Sequence, residues 1–302
     1  MVPRNLCALV GLLAMAVALP AAFLGGRSAP DAALPPVPPA SGPPLNFGWV
    51  DDPDAVRDCA AAMACGRFRD TPAFAGSDDG PEDVFLWEAC RAVTGDVLPA
   101  RDQKSVGSCV AFATASAVEH LLCVQVLTDP GEEYRDLAQE VIYGGSRVEI
   151  GGGRVRGDGS VGAWAARWVK DYGVVPRGLH GRHDLRVYSE RRCREYGRRG
   201  VPDDLEPLAK VHPVLTVTRV QSWAECRAAI RNGYPVVVCS SQGFGFTRDA
   251  EGFCPPRGRW YHAMAVVGVR GGERPGGFLL NSWGPAAHPG PPGRRAGGRH
   301  GA

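Results

Sequence analysis

The feature that most constrains the fold of this chain is a long helix-forming run that is apolar on nearly every side. After "SVGS" the sequence continues as "CVAFATASAVEHLLCVQVL", and the turn residues Asp-Pro-Gly at 129–131 end it. A helix on a protein surface would carry a wide polar face, and this run has none. The sequence therefore predicts a helix from about Ser108 to Leu127, buried at the centre of a folded domain.

From Val211 onward the sequence pattern becomes strand-like. Alternating "VLTVTRV" precedes a short helix with a capping box made by Ser222 and Glu225, and three runs rich in β-branched residues follow: "YPVVVCSS", "YHAMAVVGV" and "GGFLLNSWG". Helices followed by strands predict an α+β fold with two lobes. We expect a helical N-terminal lobe around the long central helix, an antiparallel β C-terminal lobe, and a cleft between them.

The first 44 residues predict export from the cytoplasm. Arg4 precedes an uncharged apolar run from Leu6 to Leu24 with small residues near its end, which is the layout of a signal peptide over residues 1–26. The run is long enough to be an uncleaved membrane anchor instead. Residues 27–44 are a proline-rich linker. Either alternative predicts a protein that is secreted, periplasmic or anchored on the extracytoplasmic side of a membrane.

Charge and cysteine content argue against several classes of function. A formal net charge of +2 at pH 7 offers no basic surface for nucleic acid. None of the ten cysteines forms a CxxC pair, so we predict neither a zinc nor a thioredoxin-type site, and we expect no metal and no cofactor. With Cys7 in the signal and Cys109 set aside, eight cysteines remain, which an oxidising compartment permits to pair. Their pairing stays open.

Cys109 is the candidate nucleophile because it begins the central helix. The unpaired N–H groups of a helix start carry partial positive charge, which favours a thiolate. The alternative is an inert buried thiol, since free cysteine is among the most buried residue types. His120 cannot be the base: it lies on the same helix, about 16 Å away at 1.5 Å per residue.

The candidate base is His262, the polar residue in the apolar run "WYHAMAVVGV". A hairpin centred at residues 271–272 would make His262 and Asn281 near neighbours across two strands. Asn281 would then hold one imidazole nitrogen while the other faces the thiol. Gln103 would donate its side-chain amide to a developing oxyanion, together with the N–H of Cys109.

These motifs resemble those of papain-like cysteine peptidases over about residues 98–284. "DQKSVGSCVAFA" resembles the stretch from the oxyanion glutamine to the catalytic cysteine, "YHAMAVVGV" the histidine strand, and "LLNSWG" the asparagine–tryptophan motif. The resemblance implies a helical lobe over about 98–210, a β lobe over about 211–284, and a Trp283 that shields the histidine–asparagine bond. It also implies hydrolysis of a peptide or protein substrate through an acyl-enzyme on Cys109.

The sequence departs from the family pattern in four places. Val110 replaces the tryptophan usual after the nucleophile, and Val106 replaces a loop-anchoring cysteine. Residues 45–97 are a candidate pro-region without the family's long charged helix, and residues 285–302 form a Gly/Pro/Arg tail that we expect to be disordered. Two other functions stay open: a papain-fold binding or structural protein that has lost catalysis, and a transglutaminase-like or amidase enzyme.

Overall fold

The computed structural model describes residues 10–14, 45–75, 82–129 and 131–289. Most of the predicted signal or anchor, the proline-rich linker and the end of the predicted tail lie outside these described residues.

Helices dominate the first part of the described chain, and strands dominate the second. The helices are α1 (Pro53–Ala62), α2 (Pro72–Ala75), α3 (Trp87–Thr94), α4 (Cys109–Thr128), α5 (Gln139–Gly145), α6 (Gly162–Asp171), α7 (Glu190–Arg199), α8 (Glu206–Ala209) and α9 (Trp223–Arg231). The strands are β1 (Val10–Ala14), β2 (Leu45–Asn46), β3 (Val84–Phe85), β4 (Leu179–His180), β5 (His183–Asp184), β6 (Thr216–Val220), β7 (Val236–Phe244), β8 (Pro256–Arg270) and β9 (Gly276–Leu280).

The predicted α+β fold is confirmed, with one correction to the sheet. The three long strands of the β half, β7, β8 and β9, pair antiparallel as expected. The whole sheet is mixed, because β2 pairs with β8 in parallel and β1 lies in parallel between β6 and β7. Both parallel strands come from the N-terminal part of the chain, and β1 falls within the segment predicted as a signal or anchor.

Helix α4 is the centre of the helical half. It begins and ends one residue later than predicted, and its residues from Cys109 to Cys123 are all buried. Among the described residues, α4 alone is long and apolar enough to cross a membrane, but most of it is enclosed by the protein. It packs against β8 on one side and against α3 and α5 on others. The central helix therefore lies between the other helices and strand β8 of the sheet.

Two ionisable side chains inside α4 are compensated by hydrogen bonds. Glu119 Oε1 accepts from Arg101 Nη2 and from the N–H of Leu137, both at 2.9 Å. His120 Nδ1 donates to the carbonyl of Ser116 at 2.7 Å. Burial raises the pKa of Glu119 to about 7 and lowers the pKa of His120 to about 4. The Arg101–Glu119 pair also ties the chain just before the cysteine loop to the central helix.

Two cysteines meet where α3 packs on α4. The nine described cysteines are thiols, and all except Cys254 are buried. The thiols of Cys90 and Cys123 are neighbours, since Cys123 raises the pKa of Cys90, and both side chains are fully buried in one small apolar cluster with Leu98. Two neighbouring thiols on packed helices are the arrangement from which a disulfide forms.

We predict that Cys90 and Cys123 become a disulfide when the chain meets a disulfide oxidant such as oxidised glutathione. The two thiols lose two protons and two electrons, the S–S bond forms, and the oxidant is reduced to two thiols. Peptide mapping without reductant should recover the linked pair. The bond should raise the free energy of unfolding by about 2–4 kcal/mol. Cys226, buried in a separate apolar cluster, is the control that should stay reduced. Recovery of both Cys90 and Cys123 as thiols after oxidation would contradict the prediction.

Candidate active site

Cys109 is the first residue of α4, at the point where the helix meets β8. Its side chain is fully buried. Burial raises the pKa of the thiol to about 12, although the N–H groups of Ala263, of Val110 and of Cys109 itself act in the opposite direction. The sulfur is therefore protonated at neutral pH in this structure. Because Ala263 follows His262, the thiol lies next to the histidine strand.

His262 lies within β8 and is fully buried. Its Nε2 and Asn281 Oδ1 are 2.8 Å apart, and the same oxygen accepts the N–H of Ser282 at 2.7 Å. With the oxygen as acceptor, Nε2 carries the proton and Nδ1 is a free acceptor. Among the described residues Nδ1 has no hydrogen-bond partner, a rare state for a buried polar atom. Burial lowers the pKa of His262 to about 4, although the hydrogen bond to Asn281 acts in the opposite direction and raises this pKa.

The hairpin that carries this pair has a different register from the one predicted. Arg270 lies opposite Gly276, so the turn is centred at residue 273 rather than at 271–272. The pairing also shifts between residues 266 and 268. Asn281 follows the end of β9 and is not directly opposite His262. The two side chains meet by diagonal reach, which is within the range of long side chains across paired strands.

Aromatic rings enclose the His262 imidazole. The Trp283 ring stacks on it with a centroid distance of 4.6 Å and an interplanar angle of 20°. Phe47 packs edge-on against it at 5.2 Å and lies 4.5 Å from Trp283. These rings exclude water from the hydrogen bond between His262 and Asn281. The exclusion strengthens that bond and disfavours a charged imidazole.

The side chain of Gln103 is fixed by hydrogen bonds at both of its amide atoms. Its Oε1 accepts from Ser282 Oγ at 2.6 Å. Its Nε2 donates to the carbonyl oxygens of Val106 at 2.8 Å and Phe47 at 2.9 Å. The amide group that was expected to donate to an oxyanion therefore donates to main-chain carbonyl oxygens of the protein itself.

Residues 45–50, here called the cleft segment, run between the helical half and the sheet. Their main chain is hydrogen-bonded on both sides: Phe47 N–H to Tyr261 O at 3.0 Å, Ser160 N–H to Gly48 O at 2.8 Å, and Val50 N–H to Ser160 O at 2.9 Å. The pairing is parallel on both sides. Gly48 has φ +116°, and a Cβ there would lie 2.0 Å from the carbonyl oxygen of Gly107. The cleft segment thus lies directly over the start of α4.

Sequence reasoning missed His288. Its Nε2 lies 2.7 Å from Asn281 Nδ2, and its ring stacks on Phe246 at an interplanar angle of 13°. The main chain next to it is also held, because Arg248 N–H donates to Pro289 O at 2.9 Å. In the tail expected to be disordered from residue 285, His288 and the Pro289 carbonyl are therefore held by these contacts, and residues 290–302 lie outside the described part. A histidine among prolines and glycines carries no periodic signal that could have revealed this.

Sequence reasoning also missed Phe47 and Gly48, since their contacts come only from the path of the main chain. The structure places Gln103 and His262 against Phe47 of the cleft segment, and Cys109 beside the strand that carries His262. Asn281 and Trp283 lie against the imidazole. Among the described residues, no three His, Cys, Asp or Glu side chains converge as metal ligands would.

Comparison with known proteins gave matches only among solved structures. No family model matches the chain, and no curated protein matches it. Xylellain, a cysteine protease from Xylella fastidiosa, is 18% identical with a TM-score of 0.45, and the match covers 70% of this chain and 83% of xylellain. Procathepsin B S9 from Trypanosoma congolense is 16% identical with a TM-score of 0.46, covering 79% and 76% of the two chains. Digestive procathepsin L 3 from Tenebrio molitor is 17% identical with a TM-score of 0.47, covering 78% and 70%.

These neighbours are papain-like cysteine proteases, the family that the motifs of this chain resemble. At 16 to 18% identity they say nothing about the role of any residue. The activity of this chain has to be inferred from its own side chains.

We expect Cys109 to react slowly with iodoacetamide at neutral pH, because burial raises its pKa to about 12. The thiolate is the reactive form, so the alkylation rate should climb about tenfold per pH unit between pH 7 and 9. Protein unfolded in denaturant is the control, since its thiols titrate near pH 8.5. Mass spectrometry of the peptide containing Cys109 measures the rate. Rapid alkylation at pH 7 that does not change with pH would show that the thiol is already ionised.

Proposed function

We propose that this chain is a papain-like cysteine peptidase that hydrolyses peptide bonds through an acyl-enzyme on Cys109. The observation that carries the proposal is the state of His262. Its Nε2 is held by Asn281, and its buried Nδ1 has no hydrogen-bond partner among the described residues. The next residue on its strand, Ala263, contacts the Cys109 thiol through its N–H. A base held in this way can take the thiol proton and later return it to a leaving amine.

In the proposed reaction the thiol proton moves to Nδ1 of His262, and the sulfur forms a bond to the carbonyl carbon of the substrate. The oxygen of that carbonyl becomes an oxyanion, which accepts from Gln103 Nε2 and from the N–H of Cys109. His262 then gives its proton to the amine nitrogen as the C–N bond breaks. Water attacks the resulting thioester, with His262 again as the base, and releases the acid and the thiol.

We further propose that the cleft segment, within the candidate pro-region, keeps the site latent. The Phe47 carbonyl takes the donor that an oxyanion would need, and the Phe47 ring covers His262. In this enclosed state the thiol and the imidazole are both neutral, because burial raises one pKa and lowers the other. If the cleft segment left the site, water would reach the thiol of Cys109 and the imidazole of His262. Hydration shifts both pKa values toward a thiolate–imidazolium pair.

One observation favours the non-catalytic alternative. The cleft is filled by the protein's own main chain, hydrogen-bonded on both sides, and it continues into α1, whose Ala55 and Cys59 belong to the main core. A segment anchored in this way that never leaves would make the chain a binding or structural protein. Activity of the intact chain and of variants in the cleft segment distinguishes the two functions.

We predict that Cys109→Ala, added to the full chain carrying Phe47→Ala, abolishes hydrolysis of a casein-type substrate, because no other described thiol lies at the start of α4. For the active protein, kcat/KM should follow a bell-shaped pH profile, rising as the thiolate forms and falling as the imidazolium loses its proton. His262→Ala should remove both limbs. Cys226→Ala, which removes another fully buried thiol, is the matched control and should mainly lower stability. Equal turnover with and without Cys109→Ala in the Phe47→Ala chain would rule out this nucleophile.

Opening the cleft should activate Cys109. Phe47→Ala removes the ring over His262, and Gly48→Ala introduces a Cβ that the Gly107 carbonyl excludes. In each variant iodoacetamide should alkylate Cys109 at least about tenfold faster at pH 7. The reason is that lowering the thiol pKa by one unit raises the thiolate fraction about tenfold. Leu45→Ala, at a side chain 53% exposed, is the control and should behave as wild type.

The outcomes separate the two parts of the proposal. Faster alkylation without hydrolysis of any peptide would favour the binding or structural alternative. Unchanged alkylation in both Phe47→Ala and Gly48→Ala would show that the cleft segment does not control the thiol.

A further inference from the structure

A chain of hydrogen bonds continues beyond the His262–Asn281 pair to His288. Asn281 Oδ1 receives two donors, Nε2–H of His262 at 2.8 Å and the Ser282 N–H at 2.7 Å. Asn281 Nδ2 faces His288 Nε2 at 2.7 Å, and His288 Nδ1 faces the carbonyl of Phe246 at 3.2 Å. An amide nitrogen only donates, so Nε2 of His288 must be an acceptor and its proton must be on Nδ1. Every donor in the chain then meets an acceptor.

Protonation of His288 breaks this pattern. A charged imidazole carries a proton on both nitrogens, and its Nε2–H would point at the Asn281 NH₂ group. If the amide rotated to present its oxygen to His288, its NH₂ group would face the donors of His262 and Ser282. With Nε2 of His262 protonated, Asn281 can therefore accept from both His262 and Ser282 without a donor facing a donor only while His288 is neutral.

We propose that His288 is a positioning residue that fixes the amide of Asn281, and through it the ring of His262, and that its protonation in acid releases both. The catalytic consequence rests on the proposed peptidase function; the hydrogen-bond chain does not. Among the described residues, His288 makes no hydrogen bond to Cys109, Gln103 or His262, so it acts through Asn281.

The groups around His288 keep it neutral at pH 7 while leaving it able to titrate. Burial lowers its pKa, the Phe246 carbonyl opposes this, and the Arg248 guanidinium lowers the pKa further. The Cys254 thiol lies 3.7 Å from Nδ1, and His262 faces it across Asn281. A cavity of about 240 Å³, lined by Cys254, Asn281 and His288 among others, adjoins the ring and gives water a place beside it.

Two substitutions separate positioning from simple packing. His288→Phe keeps a ring against Phe246 and Trp283 but has no acceptor for Asn281. His288→Gln supplies an acceptor oxygen that does not titrate between pH 4 and 8. His212→Gln is the control, at a histidine whose pKa is also lowered by burial but which lies outside the site.

The kinetic test measures kcat, KM and their pH dependence in the full chain carrying Phe47→Ala, where we expect an accessible cleft. His288→Phe should lower kcat on the order of tenfold with little change in KM, as expected for one lost buried hydrogen bond. His288→Gln should restore most of the lost kcat. Its activity should fall in acid with one titrating group fewer than the activity of the parent protein. Unchanged kcat and pH profile in His288→Phe, or equal losses in both variants, would overturn the proposal.

A second measurement does not depend on activity. Nitrogen-15 NMR of the histidine rings in the full wild-type chain at pH 7 should find His288 protonated at Nδ1 and His262 at Nε2. As the pH falls, the His262 resonances should shift together with the protonation of His288, and this coupling should be absent in His288→Gln. A chain without peptidase activity that shows this coupling refutes the proposed function alone. An Nε2–H tautomer of His288 refutes the positioning role whatever the activity.

Discussion

The burial of the start of α4 against β8 sets the position of Cys109 relative to His262. A helix that is apolar all round must be covered on all sides, so its first turn cannot point to solvent as a surface helix would. Cys109 is therefore carried to the strand that contains His262. The Arg101–Glu119 pair holds the preceding chain to the same helix, and this places Gln103 beside Ser282 and behind Asn281. One packing constraint thus assembles residues that are far apart in the chain.

The same burial sets the electrostatics of the site. Desolvation disfavours charge on both partners, so the thiol and the imidazole are neutral together in the enclosed state. The cleft segment completes this enclosure, since its main chain bonds to Ser160 on one side and to Tyr261 on the other. Glycines at 48 and 107 let the two main chains touch. In the proposed function, such a site holds its thiol and imidazole in place but becomes reactive only when water reaches them.

Sequence reasoning succeeded where the signal is local and periodic. The central helix is displaced by one residue from its prediction, and the strands β7, β8 and β9 fall on the predicted runs. The proximity of His262 and Asn281 was predicted from an incorrect hairpin centre. The hydrogen bond still forms, because the two side chains span the diagonal distance between their positions on the paired strands. The mixed sheet could not be predicted, because parallel pairing with a distant segment leaves no local pattern.

By itself, the sequence determined a buried central helix with a cysteine at its start, a β half with a histidine in an apolar strand, and an asparagine close to that histidine. These follow from hydrophobic periodicity and helix-stop residues, which act over short distances. Only the tertiary structure decided that Phe47 lies against His262, that Gly48 lies against Gly107 just before α4, and that His288 lies at hydrogen-bond distance from Asn281. Both depend on where a distant main chain passes, which is settled by packing and hydrogen bonding over the whole domain.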